Sequence, residues 1–255
     1  MTRFDLLGFF AHPGSLDDYL NLTRNTVEKS EQATVLYHNL HSLYSYFNSE
    51  QLRQYYSGTT VLVDGMPLIW LMKLLKLPVS RNHRLTYVDF IMPLMSLARD
   101  NQWPVFHVGQ SADVQSSALE TIRRQVSGIT ISGHDGYFDQ TAQSTESLAV
   151  VDQINQSGSK IVLIGFGAPR QEAWIHAHRD LIDAPVVFSC GACMEYVAGS
   201  VRTPPRWMGR LGLEWSFRLL ENPRRFAFRY LVEPVVLGLI LCRNALGQWF
   251  TSKRA

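Results

Sequence analysis

One aspartate at the predicted end of a buried strand is the first candidate for chemistry. Asp64 follows the run Thr59-Thr-Val-Leu-Val63 and precedes Gly65-Met-Pro67. Glycine permits a tight turn and proline suits the first turn of a helix, so Asp64 is predicted to lie in a crevice beside a helix N-terminus. A carboxylate there can act as a general base on an attacking hydroxyl. It can also close the turn or cap the helix, and from this segment alone the structural role is the simpler interpretation.

A glycine-rich segment, Gly165-Phe-Gly-Ala-Pro-Arg-Gln-Glu172, follows the clearest strand of the sequence. It lacks the third glycine of the dinucleotide-binding fingerprint. Gly165 and Gly167 would still let the backbone approach a ligand, and a helix that starts at Pro169 would offer free N–H groups to an anion. Gln171 and Glu172, in the first helical turn, could face that ligand or cap the helix.

A basic loop precedes a helix-start signal. Thr86 and Asp89 have the spacing of a capping box, which explains both residues without a ligand. The signal does not explain Arg84, which lies in a loop with two further basic residues, Arg81 and His83. An arginine there could hold a phosphate.

The charge distribution singles out the C-terminal fifth of the chain. Residues 201–255 contain ten basic and three acidic side chains (+7), whereas the first 200 residues carry 14 basic and 19 acidic ones (−5). Nine of the ten basic residues are arginine, which favours bidentate phosphate binding. Arg218, Arg225 and Arg229 lie at near-helical spacing, although Pro223 argues against one unbroken helix. This end therefore suits an anionic partner such as phospholipid or a diphosphate.

Other classes of site find no support in the sequence. It contains no Asp-x-Asp motif and no His, Cys, Asp or Glu group at metal-ligand spacing, so a leaving diphosphate would be neutralised by arginines and a helix N-terminus. Cys190 and Cys193 form a lone pair that is best interpreted as reduced, buried thiols. The N-terminus lacks the apolar core of a secretory signal, which fits a cytosolic chain.

Six predicted strands must position these residues. They are Ala33–Asn39, Thr59–Asp64, Pro104–Gly109, Ile129–Ser132, Lys160–Gly165 and Pro185–Ser189. Helical patterns lie between them, including 40–52, 113–126 and one opening at Pro67. This alternation predicts an α/β fold, a Rossmann-like, mostly parallel sheet with helices on both faces, whose ligand lies beyond the carboxyl ends of the strands. The pattern changes near Gly199, so we predict an α/β domain over residues 1–200 and a helical, arginine-rich appendage over 201–255.

The appendage is apolar from Phe226 to Phe250, but its longest uninterrupted apolar run has only eight residues. A membrane span needs about 20, so we predict an interfacial segment instead. Trp249 and Phe250, followed by Lys253 and Arg254, would suit that position. The alternative is a helix packed on its own domain or on a second subunit of a homo-oligomer.

Taken together, these segments resemble the WecG/TagA/CpsF family of bacterial glycosyltransferases, from about Val35 to Tyr230. The resemblance rests on motifs in one order: Asp64-Gly-Met-Pro, Arg84-x-Thr-x-x-Asp89, Gly136-Tyr-Phe138, Gly165-x-Gly-x-Pro-x-Gln-Glu172, and Arg206-Trp-Met, Gly-Leu-Glu-Trp215, Arg218 and Pro-Arg-Arg225.

The resemblance implies an inverting transferase that uses a UDP-sugar without an essential metal or a resident cofactor. Its acceptor would be an undecaprenyl-diphosphate-linked saccharide at the inner face of the cell membrane, and nucleic acid is not an expected partner. The base falls on Asp64, and the donor pocket on Asn39, Arg84, Asp89 and Gln171, with Gly165, Gly167 and Glu172 beside it. Diphosphate-binding arginines fall on Arg218, Arg225 and Arg229.

Three departures from the family pattern affect the sugar. Tyr37 and Leu40 flank Asn39 where Thr and Pro are usual, Tyr87 replaces a glycine, and Glu195 replaces an aspartate. Large phenols would shrink or re-line the sugar pocket, so glucose or a uronic acid is compatible as well as N-acetylmannosamine. A nucleotide-binding oxidoreductase and a non-catalytic partner in a polysaccharide assembly complex are the alternatives.

Overall fold

A computed structural model describes residues 1–202, 208 and 212–252, without the side chains of Arg225 and residues 249–252. Its centre is a six-stranded parallel sheet in the order β4-β3-β8-β7-β5-β6. The strands are β3 (Ala33–His38), β4 (Thr60–Val63), β5 (Val105–Gly109), β6 (Ile131–His134), β7 (Ile161–Gly165) and β8 (Val186–Ser189). The prediction of a Rossmann-like α/β fold is confirmed, and each of the six predicted strands is present.

Helices connect the strands and cover both faces of the sheet. They are α1 (Leu16–Glu28), α2 (Leu40–Asn48), α3 (Glu50–Tyr56), α4 (Met66–Leu74), α5 (Tyr87–Asp100), α6 (Ala112–Gln125), α7 (Thr145–Gln156), α8 (Arg170–His178) and α9 (Cys193–Ala198). β5, β7 and β8 are buried throughout, as expected for strands with helices on either side. The sheet thereby holds its strand ends rigidly in place.

Local signals shift two predicted boundaries. The helix predicted over 40–52 is divided at Ser49, which is extended and accepts a hydrogen bond from the N–H of Leu52. A serine in that position ends one helix and caps the next. Helix α4 begins at Met66 rather than Pro67, because Gly65 precedes it as N-cap with a φ of 121°, a conformation that favours glycine.

The first 30 residues add elements that the sequence analysis did not anticipate. β1 (Phe4–Leu6) and β2 (Phe9–Ala11) pair as an antiparallel hairpin. Helix α1 follows, capped by a Ser15–Asp18 capping box. The hairpin buries Phe9 and Phe10 in the core cluster beneath β3 and β4, and it provides a platform for the C-terminal segment.

The C-terminal segment is helical, as predicted. It contains α10 (Glu214–Glu221), α11 (Pro223–Ala227), a π-helical turn (Phe228–Val232) and α12 (Glu233–Ser252). The break predicted at Pro223 is present between α10 and α11. Leu237 and Leu241 of α12 join the core cluster, and the Asn244 amide donates to the Leu7 carbonyl at 2.8 Å. The segment therefore packs on the α/β domain; its division as a separate domain at residue 200 remains a prediction.

The opposite side of the C-terminal helix is apolar and exposed. Within the described chain, Phe228–Gln248 has 21 residues and a mean hydropathy of 1.4, which by length and composition alone is enough to cross a membrane. The length and composition of the whole helix therefore allow the membrane span that the short uninterrupted apolar run argued against. The exposed side chains on this side are Leu231, Val232, Val235, Leu239 and Leu246. Trp249, Phe250, Lys253 and Arg254, predicted to lie in an interface, fall outside the described side chains.

Candidate active site

A pocket of about 880 Å³ opens at the carboxyl ends of the parallel strands. Its wall combines strand-end residues of the sheet with α10 and the π-helical turn of the C-terminal segment. Seven of the predicted site residues line it: Asn39, Asp64, Arg84, Asp89, Gly167, Arg218 and Arg229. Sequence positions up to 190 residues apart thus meet at the edge where an open α/β sheet binds its ligands.

Asp64 lies directly after β4, between positive and negative side chains. Burial raises the pKa of its carboxyl group, while the charges of Arg218 and Arg84 and a hydrogen bond from Asn39 lower it, and the charge of Glu214 raises it further. The net direction is upward. A carboxylate whose pKa is raised is a stronger base than an exposed aspartate, so the surroundings suit Asp64 to proton transfer.

Arg84 links the basic loop to the C-terminal segment. Its Nη2 donates to Oε1 of Glu214 at 2.9 Å, and the Arg84 side chain is only 8% exposed. Helix α10 begins at Glu214, so this ion pair fixes the start of α10 against the pocket. The arginine predicted to hold a phosphate is therefore in place, with a carboxylate as its partner.

Two further arginines reach the pocket from the C-terminal segment. The guanidinium of Arg218 lies over the ring of Tyr196 at 5.4 Å and hydrogen-bonds Tyr230. Its Nε is buried without a hydrogen-bond partner among the described residues. Arg229, in the π-helical turn, also lines the pocket. The side chain of Arg225, the third predicted diphosphate ligand, lies outside the described part.

Gln171 lies one layer below the pocket, fully buried. Its Oε1 accepts from the backbone N–H of Gly167 at 3.2 Å and from that of Gly191 at 3.1 Å, and its Nε2 lies 3.4 Å from the Tyr37 hydroxyl. Gln171 therefore joins the loops that follow β7 and β8 and supports the pocket floor. The Gly167 N–H is used in this way, whereas the prediction of an anion at the helix N-terminus that opens at Pro169 stays a prediction.

Glu172 is buried beside Gln171, which donates to its Oε1 at 2.8 Å. Its other oxygen, Oε2, has no partner in the described chain. Burial raises the pKa of Glu172 to about 7, despite the lowering effect of the Gln171 hydrogen bond. Glu172 does not line the pocket, so its place is structural support rather than ligand contact.

Gly165 is also a packing position. A Cβ at Gly165 would lie 2.8 Å from the Gly191 carbonyl oxygen and 3.0 Å from the Gln110 amide nitrogen. The Gln110 amide bridges the two strand ends by donating to the carbonyls of Gly165 and Gly191. Glycine is needed there so that the ends of β7 and β8 can approach each other closely.

Tyr37 and Tyr87, the two phenols noted in the sequence, both line the pocket and meet edge to face at 5.9 Å. Burial raises the pKa of each hydroxyl group, so both remain protonated. The two rings occupy space in the pocket, as expected if large phenols shrink or re-line the part that receives the sugar.

The N-terminal signals of two helices hold Asn39 and Asp89 at the pocket. Asn39 caps α2 through a capping box with Ser42, and its side chain also reaches Asp64. Asp89 pairs with Thr86, whose hydroxyl donates to the carboxylate at 2.9 Å. Asn39 and Asp89 therefore take part in helix capping and line the pocket at the same time.

Phe138 of the Gly136-Tyr-Phe138 motif packs against Phe166 and Trp174, at 5.7 and 6.4 Å between ring centroids. Tyr137 is exposed, and none of the three motif residues lines the main pocket. The structure therefore gives Phe138 a packing role.

His41 and Glu233 form a hydrogen-bonded pair that sequence reasoning missed. Nδ1 of His41 lies 3.0 and 2.8 Å from the two carboxylate oxygens of Glu233, and both residues line the pocket. They are 192 positions apart, and neither belongs to a motif. The helical phase of α12 was the one available signal, because it places Glu233 on the face of Leu237 and Leu241.

Cys190 and Cys193 are free and buried, as predicted, and burial raises the pKa of both thiols. Among the described residues, no group of three His, Cys, Asp or Glu side chains could hold a metal ion.

Comparison with known proteins identifies the family. A sequence profile described as the Glycosyl transferase WecG/TagA/CpsF family matches residues 4–251. The chain therefore belongs to this family, and the resemblance inferred from the motifs is confirmed. Membership selects the glycosyltransferase interpretation over a nucleotide-binding oxidoreductase.

Individual relatives carry more specific names. An N-acetylglucosaminyldiphosphoundecaprenol N-acetyl-beta-D-mannosaminyltransferase of Bacillus spizizenii is 30% identical over 171 residues, covering 67% of this chain and 63% of that protein. Proteins of the same name from Bacillus subtilis strain 168 and Staphylococcus aureus strain MW2 are 29% and 26% identical, over 67% and 65% of this chain and 64% and 62% of theirs. The chain thus spans under two thirds of the length of these relatives.

Proposed function

We propose that this chain is an inverting, metal-independent glycosyltransferase. It transfers a hexose-type sugar from UDP to an undecaprenyl-diphosphate-linked saccharide. The observation that carries the proposal is the position of Asp64 between Arg84 and Arg218 at the base of the pocket. The activity for which the relatives are named supports a lipid-diphosphate acceptor that carries N-acetylglucosamine, with N-acetylmannosamine as the donor sugar. The tyrosine pair keeps glucose and a uronic acid sugar as further candidates.

The reaction is a single displacement at the anomeric carbon of the donor. An acceptor hydroxyl attacks that carbon and forms the new glycosidic bond, the bond to the UDP oxygen breaks, and the acceptor proton passes to Asp64. UDP leaves with the electron pair of the broken bond. Attack from the face opposite UDP inverts the anomeric configuration, so one base and one stabilised leaving group suffice.

Arginines neutralise the leaving diphosphate in this mechanism. Arg218 presents a buried Nε without a partner in the described structure, and a buried donor of this kind costs roughly 1–3 kcal/mol until a ligand accepts its hydrogen bond. Arg84 exchanges its carboxylate partner Glu214 for a phosphoryl oxygen, and Arg229 adds positive charge from the π-helical turn. Gln171 contributes indirectly, because it positions Tyr37 and the two loops, after β7 and β8, that it joins.

The acceptor places the enzyme at a membrane surface. The exposed apolar side of the C-terminal helix lies on the segment that contributes Arg218 and Arg229 to the pocket. A helix lying in the interface with that side toward lipid would bring the pocket close to a lipid-anchored diphosphate. We therefore propose a peripheral position on the inner face of the cell membrane.

The test is a UDP-release assay with a panel of UDP-sugars and a short-chain lipid-diphosphate saccharide, with and without EDTA. One donor is expected to give turnover that EDTA leaves unchanged. Asp64→Asn should lower kcat by about 10²- to 10⁴-fold with little change in UDP binding. A variant with near-wild-type turnover would refute the base assignment. A wild-type chain that binds UDP without turnover on any donor would support a non-catalytic partner instead.

A further inference from the structure

The hydrogen bond between His41 and Glu233 connects the α/β domain to the C-terminal helix inside the pocket. The side chain of Glu233 is 5% exposed and that of His41 is 30% exposed. A buried carboxylate that accepts from an imidazole fixes the orientation of the ring. The pair therefore holds the His41 ring in one orientation at the pocket wall. The proposed transfer mechanism gives this ring no role.

The second nitrogen of the His41 ring is available to a ligand. Nδ1 is taken up by Glu233, whereas Nε2 makes no hydrogen bond within the described structure. When both ring nitrogens carry a proton, both donate hydrogen bonds. Nδ1–H then donates to Glu233, and Nε2–H remains for an acceptor in the pocket.

The neighbouring charge favours an anionic acceptor. Arg229 precedes Glu233 by four residues on the same helical segment, so the two side chains are neighbours on one face. The edge-to-face contact of Tyr44 with Phe228, 6.3 Å between ring centroids, holds α2 against the π-helical turn. Arg229 thus brings a positive charge to the part of the pocket that His41 and Glu233 line.

We propose that His41 is a further substrate-binding residue, whose Nε2–H donates to a phosphoryl oxygen of a diphosphate, with Glu233 as the positioning residue for its ring. This inference rests on the proposed function, which brings two diphosphates to the pocket, one on the donor and one on the acceptor. Either could be the ligand, because the recognised chemistry is the same.

The test compares His41→Asn with the wild-type chain. Asparagine can keep a hydrogen bond to Glu233 at the position of Nδ1 but has no group at Nε2. Binding is measured calorimetrically with UDP in one arm and with a short-chain polyprenyl-diphosphate-linked N-acetylglucosamine in the other. A hydrogen bond to a charged group predicts a loss of about 10- to 100-fold in affinity, in the UDP arm for the donor and in the lipid arm for the acceptor.

Further variants separate binding from structural support. His41→Gln, whose amide can reach the position of Nε2, should restore part of the affinity, and Glu233→Gln should weaken the same arm as His41→Asn. His176→Asn and Glu221→Gln, at exposed positions outside the pocket, serve as matched controls and should bind like wild type.

Affinities of His41→Asn within twofold of wild type in both arms would overturn the inference. Equal losses in both arms, accompanied by a lowered Tm, would also overturn it, because they would indicate a purely structural role. If the wild-type chain binds UDP but transfers no sugar, the proposed function fails, while a weakened UDP arm in His41→Asn still supports this inference.

Discussion

The carboxylate of Asp64 is influenced by charges from two separate segments, Arg84 in the basic loop and Glu214 and Arg218 in α10, so single substitutions should shift its ionisation. As the proposed base, Asp64 must be ionised, so activity is expected to fall as the pH drops through the pKa of Asp64, which burial raises and Glu214 raises further. Glu214→Gln removes a negative neighbour and should move the acidic limb of the kcat/KM profile to lower pH. The profile of initial rates between pH 4 and 8 measures this shift.

The matched control is Glu221→Gln, at the other end of α10, where the exposed carboxylate is outside the pocket. It should leave the acidic limb in place. An acidic limb that moves to higher pH in Glu214→Gln would contradict the charge assignment.

The buried acid Glu172 makes stability depend on pH. Its pKa is about 7 in the folded protein, against an ordinary value of 4.5, so the folded state holds its proton more tightly than the unfolded chain. The stability that this group contributes is fully present below about pH 4.5 and is lost as the pH rises through 7. Glu172→Gln, which cannot ionise, should therefore gain on the order of 3 kcal/mol relative to wild type between pH 4.5 and 8.

Denaturant unfolding of both proteins across that pH range measures the difference. A difference in the free energy of unfolding that stays constant with pH would show that Glu172 keeps its ordinary pKa in the folded protein.

Much of the residue-level site could be predicted from the sequence, because its members follow strands or begin helices. Asp64 is found by its place after a strand, whereas Asn39 and Asp89 were assigned to the donor pocket by the family resemblance. All three line the pocket. His41 and Glu233 were missed, since a pair separated by 192 positions leaves no local pattern. Gln171 was named as a site residue, but its complete burial was not predicted. Helical spacing alone does not distinguish a residue that contacts the ligand from one that supports the pocket from beneath.

At the scale of elements, the ends of β7 and β8 approach each other closely because Gly165 has no side chain. Gly165→Ala would place a Cβ 2.8 Å from the Gly191 carbonyl oxygen, and backbone at that distance must shift. We expect a loss of about 1–3 kcal/mol in the free energy of unfolding, together with weaker UDP binding, because the displaced loop lines the pocket. Thermal and denaturant unfolding measure the first effect.

Gly238→Ala in α12 is the matched control for that substitution. No atom lies within 4 Å of its added Cβ, and alanine favours a helix over glycine by up to about 1 kcal/mol. The control should be neutral or stabilising. Equal destabilisation of both variants would refute the packing explanation for Gly165.

The elements themselves were largely predictable, for a physical reason. Strands buried on both faces read as continuous apolar runs, and β3, β4, β7 and β8 have this character at their centres. The β1–β2 hairpin was not predicted, because three-residue strands are too short to show a periodicity. The split between α2 and α3 required attention to Ser49, whose capping side chain overrides an apolar spacing that continues past it.

For the whole molecule, the arrangement of apolar surface predicts where it meets a membrane. Val235 and Leu239 are exposed on the outer side of α12, so Val235→Glu with Leu239→Glu should weaken binding to anionic vesicles by tenfold or more, since each buried apolar side chain contributes about 1.5–3 kcal/mol. Vesicle co-sedimentation measures binding. Turnover of a short-chain soluble acceptor should be retained.

Leu181→Glu is the matched control. Leu181 is exposed, but it precedes β8 and so lies toward the amino ends of the strands, away from the pocket. Its vesicle binding should equal that of wild type. Unchanged binding in the double variant would refute the interfacial position and leave α12 as a helix packed on its own domain or on a second copy of the chain.

The π-helical turn at Phe228–Val232 has a consequence for the length of the chain. A π turn is an α-helix with one additional residue accommodated as a bulge, so both flanks keep their rotational phase. Removing one residue from this turn would yield a continuous α-helix whose lipid-side and protein-side stripes are unchanged. The fold therefore tolerates either length, and what the additional residue alters is how Arg229 is presented to the pocket. A chain shortened by this one residue is therefore expected to keep the architecture and to differ in how its pocket holds the substrate.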